Sequence, residues 1–109
     1  MGYFNKYERK GIDFMDNRTK GELSDLSTLA EFYIEDYGYI HTDKGECAVF
    51  CVRSIDDMFY FGNSILLEIL HGVDEDGEKE RLLNTAVSVE KVTNRNGNRS
   101  YWKWTFHEN

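Results

Sequence analysis

The sequence predicts a mainly β domain in which five strands close into a small barrel with one helix at its end. Three observations carry that expectation. Aromatic, β-branched and other apolar residues gather in five short runs, in the order β-β-β-α-β-β. The switch to a helical period falls between the third and fourth runs. Asn96-Gly97 joins the last two runs, and a type I′ hairpin turn needs positive φ at both central residues. Five strands in 109 residues are too many for an open sheet with one bare face, and closure removes the edges.

Each element has its own grounds. Residues 1–28 are polar with scattered aromatics (Tyr3, Phe4, Tyr7, Phe14) and read as an N-terminal basic arm. A short helical turn is expected at 19–26, with Thr19 as N-cap and Leu23 and Leu26 facing in. Residues 29–109 form the barrel. The first strand is LAEFYIEDYGYIH, 29–41, with Phe32 and Ile34 on one face and Tyr33, Glu35 and Tyr37 on the other. Gly38 inside it marks a bulge or bend. Thr42-Asp43-Lys44-Gly45 is a turn cluster, followed by the second strand at 46–54. Ile55-Asp56-Asp57 turns the chain into a third strand at 58–61.

Asn63 or Ser64 caps the helix by accepting an otherwise orphan backbone N–H. Ile65, Leu66, Ile69, Leu70 and Val73 make its apolar stripe, and Gly72 is placed to end it. A second helical piece is expected at 76–83. The last strands are 86–93 and 99–107. A turn at Asn96-Gly97 pairs Val92 with Tyr101, Glu90 with Lys103 and Val89 with Trp104. Val87, Val89, Trp102, Trp104 and Phe106 then share a core face. Ser88, Glu90, Tyr101, Lys103 and Thr105 share a wet one.

The formal charge of −7 argues against bulk attraction to nucleic acid, but it is segregated. Residues 1–20 carry Lys6, Arg9, Lys10, Arg18 and Lys20 against three acids. Residues 85–109 carry Lys91, Arg95, Arg99 and Lys103 against Glu90 and Glu108. The segment between holds 4 basic and 15 acidic residues. With a Debye length of about 8 Å, a basic patch acts independently of acids on the far side. Sixteen residues are aromatic (7 Tyr, 7 Phe, 2 Trp) and none is proline.

The start MGYFNKYERK has no apolar run and resembles no signal peptide, and Lys6 stands where myristoylation wants Ser or Thr. No apolar stretch is long enough to span a membrane. Cys47 and Cys51 on one strand lie roughly 13 Å apart at ~3.3 Å per residue, too far for a disulfide. Free thiols fit a reducing, cytoplasmic compartment.

A bent first strand containing glycine, and a helix between strands three and four, is the order of the OB-fold. The chain also resembles small OB-fold single-stranded-DNA-binding proteins encoded by phages and prophages of Gram-positive bacteria. The likeness rests on KGIDFMDNRTKGELSDL, IEDYGYI, AVFCV, FYFGNSILLEIL and KVTNRNGNRSYWKWTF, which together span most of the chain. The sequence departs from an OB start in having no Gly-Lys turn before the first strand. The resemblance implies sequence-non-specific binding of single-stranded DNA in phage replication or recombination, inside the bacterial host cell.

Such binding needs aromatic faces for bases and Lys or Arg for phosphates. In an OB-fold the surface crosses strands two and three, flanked by the loops 42–46 and 93–99 of this chain. The second loop offers Arg95, Asn96 and Arg99. Tyr101 and Lys103 stand beside it on the wet face of the last strand. Tyr37 and Tyr39 flank the bend of the first strand, Tyr60 lies on the third and Arg53 ends the second. These nine residues are the expected nucleic-acid-binding set. Cross-strand packing, core burial and a plain hairpin tip are the competing uses of the same residues.

No catalytic motif is present, and His41, His71 and His107 are scattered. No cofactor or metal site is expected, because Cys47, Cys51 and His41 lack metal spacing and Asp74-Glu75-Asp76-Gly77 only imitates part of an EF-hand loop. The second functional reading is an acidic protein-interaction module, in which 68–80 mimics nucleic acid or docks on a basic partner. Partners are then single-stranded DNA, host or phage replication and recombination proteins, and no membrane. Spare strand edges and the arm also allow a homodimer.

Overall fold

The computed structural model describes residues 8–10, 13–95, 97 and 99–108. Strands β1 (Glu8–Lys10), β2 (Thr19–Lys20), β3 (Ile34–Thr42), β4 (Gly45–Val52) and β5 (Ile55–Phe61) line up in the order β1-β3-β4-β5-β2. Neighbours are antiparallel except β2, which runs parallel to β5. Strands β6 (Ala86–Thr93) and β7 (Ser100–His107) make a separate antiparallel hairpin. Helices α1 (Leu23–Leu26), α2 (Ser64–Asp76) and α3 (Lys79–Leu83) lie between, with a 3-10 turn at Asp13–Asn17. The fold is mainly β, as expected.

The β3-β4-β5 meander is built by two tight turns. Thr42 faces Gly45 across Asp43-Lys44, and Gly45 takes a φ of 115°, which favours glycine. Val52 faces Ile55 across Arg53-Ser54, with Ser54 at φ 80°. That turn needs only two residues, so Ile55, Asp56 and Asp57 belong to β5 and not to a turn. The irregularity expected at Gly38 lies elsewhere. Gly38 pairs with Val49 in unbroken register, and the shift falls between Ile34 and Asp36.

Helix α2 runs through Gly72 and stops at Gly77. Gly77 adopts a left-handed φ of 68°, and the N–H of Glu78 reaches back to the Val73 carbonyl at 2.9 Å. That is the glycine-ended helix terminus, with the orphan carbonyls satisfied. Gly72 lies mid-helix, where glycine is tolerated at modest cost.

The expected closed barrel is not formed. Among the described residues, seven strands and three α-helices replace the expected five strands and one helix. One seam does approach closure: Phe32 and Val87 exchange two backbone hydrogen bonds of 2.7 Å, joining the run before β3 to β6. At the other seam β2 takes the edge of β5, and the Gly21 N–H donates to the Phe59 carbonyl at 2.7 Å. The N-terminal segment thus occupies the edge that β7 would use. The described residues of the expected arm, 8–10 and 13–28, supply β1, β2 and α1.

The main core lies between the sheet, α2 and the hairpin. Phe50, Leu26, Ile34, Leu66, Leu70, Val52 and Val87 are fully enclosed there. Each large side chain so buried contributes about 1.5–3 kcal/mol. On the opposite sheet face Ile40, Val49 and Phe59 form a second cluster, covered by Phe14 and Met15 of the 3-10 turn. Among the described residues no helix is long and apolar enough to cross a membrane.

Candidate nucleic-acid interface

The β6–β7 hairpin carries the exposed basic and aromatic groups. Its register pairs Val92 with Tyr101, Glu90 with Lys103 and Val89 with Trp104, the pairing that the Asn96-Gly97 turn predicts. Gly97 sits at φ 73°. Alternation then turns Val87, Val89 and Trp104 into the core, and Tyr101 and Lys103 to solvent. Tyr101 is 47% exposed, unusual for a large ring. Arg95, Arg99 and Lys103 are exposed, and among the described residues none of them forms an ion pair. Glu90 faces Lys103 in register without closing a salt bridge. Asn96, from the expected set, lies outside the described residues, as does Asn98 beside it.

The other members of the set are engaged elsewhere. Tyr37 is 2% exposed, and Tyr39 and Tyr60 are also buried. Tyr60 stacks on Phe50 with ring centroids 5.5 Å apart. Tyr37 and Tyr39 point at α2, where both hydroxyls donate to the Asp74 carboxylate, Tyr37 at 2.6 Å. The Tyr39 ring stacks on His71, whose Nε2 hydrogen-bonds Glu46 on β4. Lys79 lies 3.1 Å from Asp36 and 4.9 Å over the Tyr37 ring. A buried ring has no free face, so these three tyrosines are corrected from stacking platforms to core. Arg53 is exposed but occupied: its guanidinium lies 4.8 Å over Tyr33 and donates to the Leu83 carbonyl at 2.8 Å, capping α3.

Electrostatics follow from these contacts. Burial, and then the hydrogen bond to Asp74, push the Tyr37 and Tyr39 phenols well above their ordinary value. Burial raises Tyr60 as well. Burial pushes the Cys51 thiol up to about 11, which keeps it protonated and unreactive. Among the described residues no three His, Cys, Asp or Glu side chains gather in a way that could hold a metal ion.

No known protein family, curated protein or solved structure matches the chain. The site therefore stands on its own geometry. The structure brings Arg95, Arg99, Tyr101 and Lys103 together on one hairpin, and leaves Tyr37, Tyr39, Tyr60 and Arg53 in packing roles.

Two residues escaped the sequence reading of the site. Asp74 falls four residues after Leu70 and eight after Leu66, in line with the buried stripe of α2 though itself exposed. An acid on an apolar stripe must find donors, and that was the available signal. Asn63 was legible as a cap but not as a hub. Its Oδ1 accepts from the Leu66 N–H and the Trp104 indole, both at 2.9 Å. Its Nδ2 donates to the Trp102 carbonyl at 3.0 Å, tying β7 to the end of β5.

Proposed function

We propose that the protein binds single-stranded DNA without sequence preference, through the outer face and tip of the β6–β7 hairpin. The observation that carries this is the cluster of Arg95, Arg99, Lys103 and the half-exposed Tyr101, all without ion-pair partners among the described residues. Arginine and lysine take phosphates, and an exposed tyrosine takes a base at about 1–3 kcal/mol per stack. Stacking ignores base identity, which accounts for the lack of sequence preference. Residues 68–80 hold six acidic residues against Lys79 alone, apart from this strip in the chain.

The finer fold reading is an OB-type barrel held open at one seam. The order β3-β4-β5-α2-β6-β7 and the Phe32–Val87 bonding support it. The resemblance to phage and prophage single-strand binders supports a role in replication or recombination in a bacterial cytoplasm.

The test is a fluorescence anisotropy titration with a labelled oligonucleotide. Binding to single strands exceeds binding to double strands and weakens steeply with salt. Replacing Arg95 and Arg99 together by Ala weakens it. Failure to bind at low salt with tens of micromolar protein removes the proposal.

One observation favours a second reading, a protein-interaction face. A groove of about 370 Å³ between α2, α3 and β7 has Ile69, Val73, Leu82 and Phe106 among its apolar lining, with Asp76 and Glu78 beside them. Apolar floor and acidic rim suit a basic segment with one apolar anchor. A labelled Lys/Arg-rich peptide carrying a single Phe binds saturably under this reading, and the binding survives Arg95→Ala with Arg99→Ala.

A further inference from the structure

The open seam between β5 and β7 holds a cavity of about 200 Å³. Lys20, Glu22, Leu23, Phe61 and Trp102 line it. Phe61 and Trp102 are only partly buried, Trp102 packed against the main core and Phe61 against the second cluster. The Lys20 ammonium lies 5.3 Å from the Phe61 ring centroid. Lys91, exposed, is the cross-strand partner of Trp102 and stands on the same face of the hairpin.

The cavity has a structural cause. β2 ladders with β5 for two residues, and the chain then leaves the sheet at Gly21 to enter α1. On the far side Asn63 holds the Trp102 carbonyl, fixing β7 near the end of β5. Two aromatic rings are thereby left with free surface between two elements that do not ladder. A closed sheet would have covered them.

We infer that this cavity is a nucleobase slot. One unstacked base of the bound strand enters against Phe61 and Trp102, and Lys20 and Lys91 take the flanking phosphates. The inference rests on the single-strand reading and extends the path of the strand from the outer face of the hairpin over its edge into the seam. The volume lies below the roughly 300 Å³ of pockets for drug-sized ligands and suits a single ring system. Two rings offer the stacking, and Lys20 at Phe61 brings a positive charge to the same lining. Lys20 and Glu22 line the slot, and Lys91, paired with Trp102 on the hairpin, supplies the second cation.

The two tryptophans make the slot readable. Trp104 is 7% exposed and its indole N–H is held by Asn63, so it stays out of contact with a strand. Trp102 is the reporter. Wild-type protein is titrated with oligothymidine of about 16 nucleotides, a length that covers one OB-type site. Anisotropy of the labelled oligonucleotide and tryptophan emission are followed together.

The expected result is saturable binding with quenched emission. Trp102→Phe keeps most of the affinity, since a ring remains, but loses the quenching. Phe61→Leu preserves the apolar volume and weakens binding about tenfold, the size of one lost stack. Lys20→Ala reduces the slope of log affinity against log salt by about 0.7. Thermal melts establish that each variant is folded. If wild type binds with unchanged emission and Phe61→Leu binds like wild type, the slot is overturned and the hairpin reading stands. If wild type does not bind at all, both fall. If thymidine monophosphate quenches emission as well as the oligonucleotide does at equal nucleotide concentration, the cavity takes free nucleotides and the strand path is overturned.

Discussion

Asn63→Ala removes three hydrogen bonds from the junction of β5, α2 and β7. The first is the cap on the Leu66 N–H, whose loss costs about 1 kcal/mol. The second is the acceptor for the Trp104 indole. That ring is 7% exposed, so its N–H is left unsatisfied away from water, at about 1–3 kcal/mol. The third is the bond to the Trp102 carbonyl, which borders solvent and costs about 0.5 kcal/mol. Together these come to about 3 kcal/mol. At roughly 4–8 °C per kcal/mol the melting temperature falls by roughly 12–24 °C. Thermal melts followed by circular dichroism, with urea titrations at one temperature, give both quantities. Asn63→Asp is the control. It keeps both acceptor contacts and adds a negative charge at the N-terminus of α2, worth about 0.3–1 kcal/mol. It loses the tie to β7 and melts within a few degrees of wild type. If Asn63→Ala stays within about 0.5 kcal/mol of wild type, the hub has been misread.

Two further outcomes follow from the packing. Tyr37, Tyr39 and Tyr60 hold their protons more tightly in the folded chain than the ordinary value of 10.0. Stability is therefore full below about pH 10 and falls above it, by about 1.4 kcal/mol per pH unit for each tyrosine that stays protonated. Urea midpoints measured across that range show the decline, and Tyr37→Phe reduces its slope by one tyrosine's share; a flat profile contradicts the buried network. Separately, a Cβ at Gly21 meets Tyr60 Cε2 at 2.5 Å, against a ring that is itself packed on Phe50. Gly21→Ala destabilises by about 1–3 kcal/mol in a urea titration, and a neutral result shows that the β2–β5 docking yields.

Local signals carried the hairpin. Asn96-Gly97 sets the turn, strict alternation sets the faces, and the observed register of 86–107 follows from those two facts. Helix α2 was legible from its stripe and cap. Its end was misplaced, because Gly72 and Gly77 both resemble terminators and only the backbone places one of them at positive φ. The barrel failed for a non-local reason. Thr19 and Lys20 carry no strand signal of their own, yet they dock parallel on Met58 and Phe59 and take the edge that closure needs. The tyrosines failed for a related reason. The sequence put Tyr37 and Tyr39 on either side of a bend at Gly38 and left open whether their rings meet water or α2. The answer depended on Asp74, 35 residues and more away in sequence, whose carboxylate on α2 accepts from both hydroxyls. Tyr101 stayed exposed because it alternates with Trp104 and lies on the face of the hairpin turned from the core.

The most direct test of single-strand binding by the hairpin is the salt dependence of oligonucleotide affinity, compared between wild type and the variant with Arg95 and Arg99 both replaced by Ala. Each phosphate contact on a single strand contributes about −0.7 to the slope of log affinity against log salt. With Arg95 and Arg99 each holding one phosphate, the double variant's slope is shallower than the wild type's by about 1.4. An identical slope and affinity in the two proteins would contradict the assignment of the strand to this hairpin.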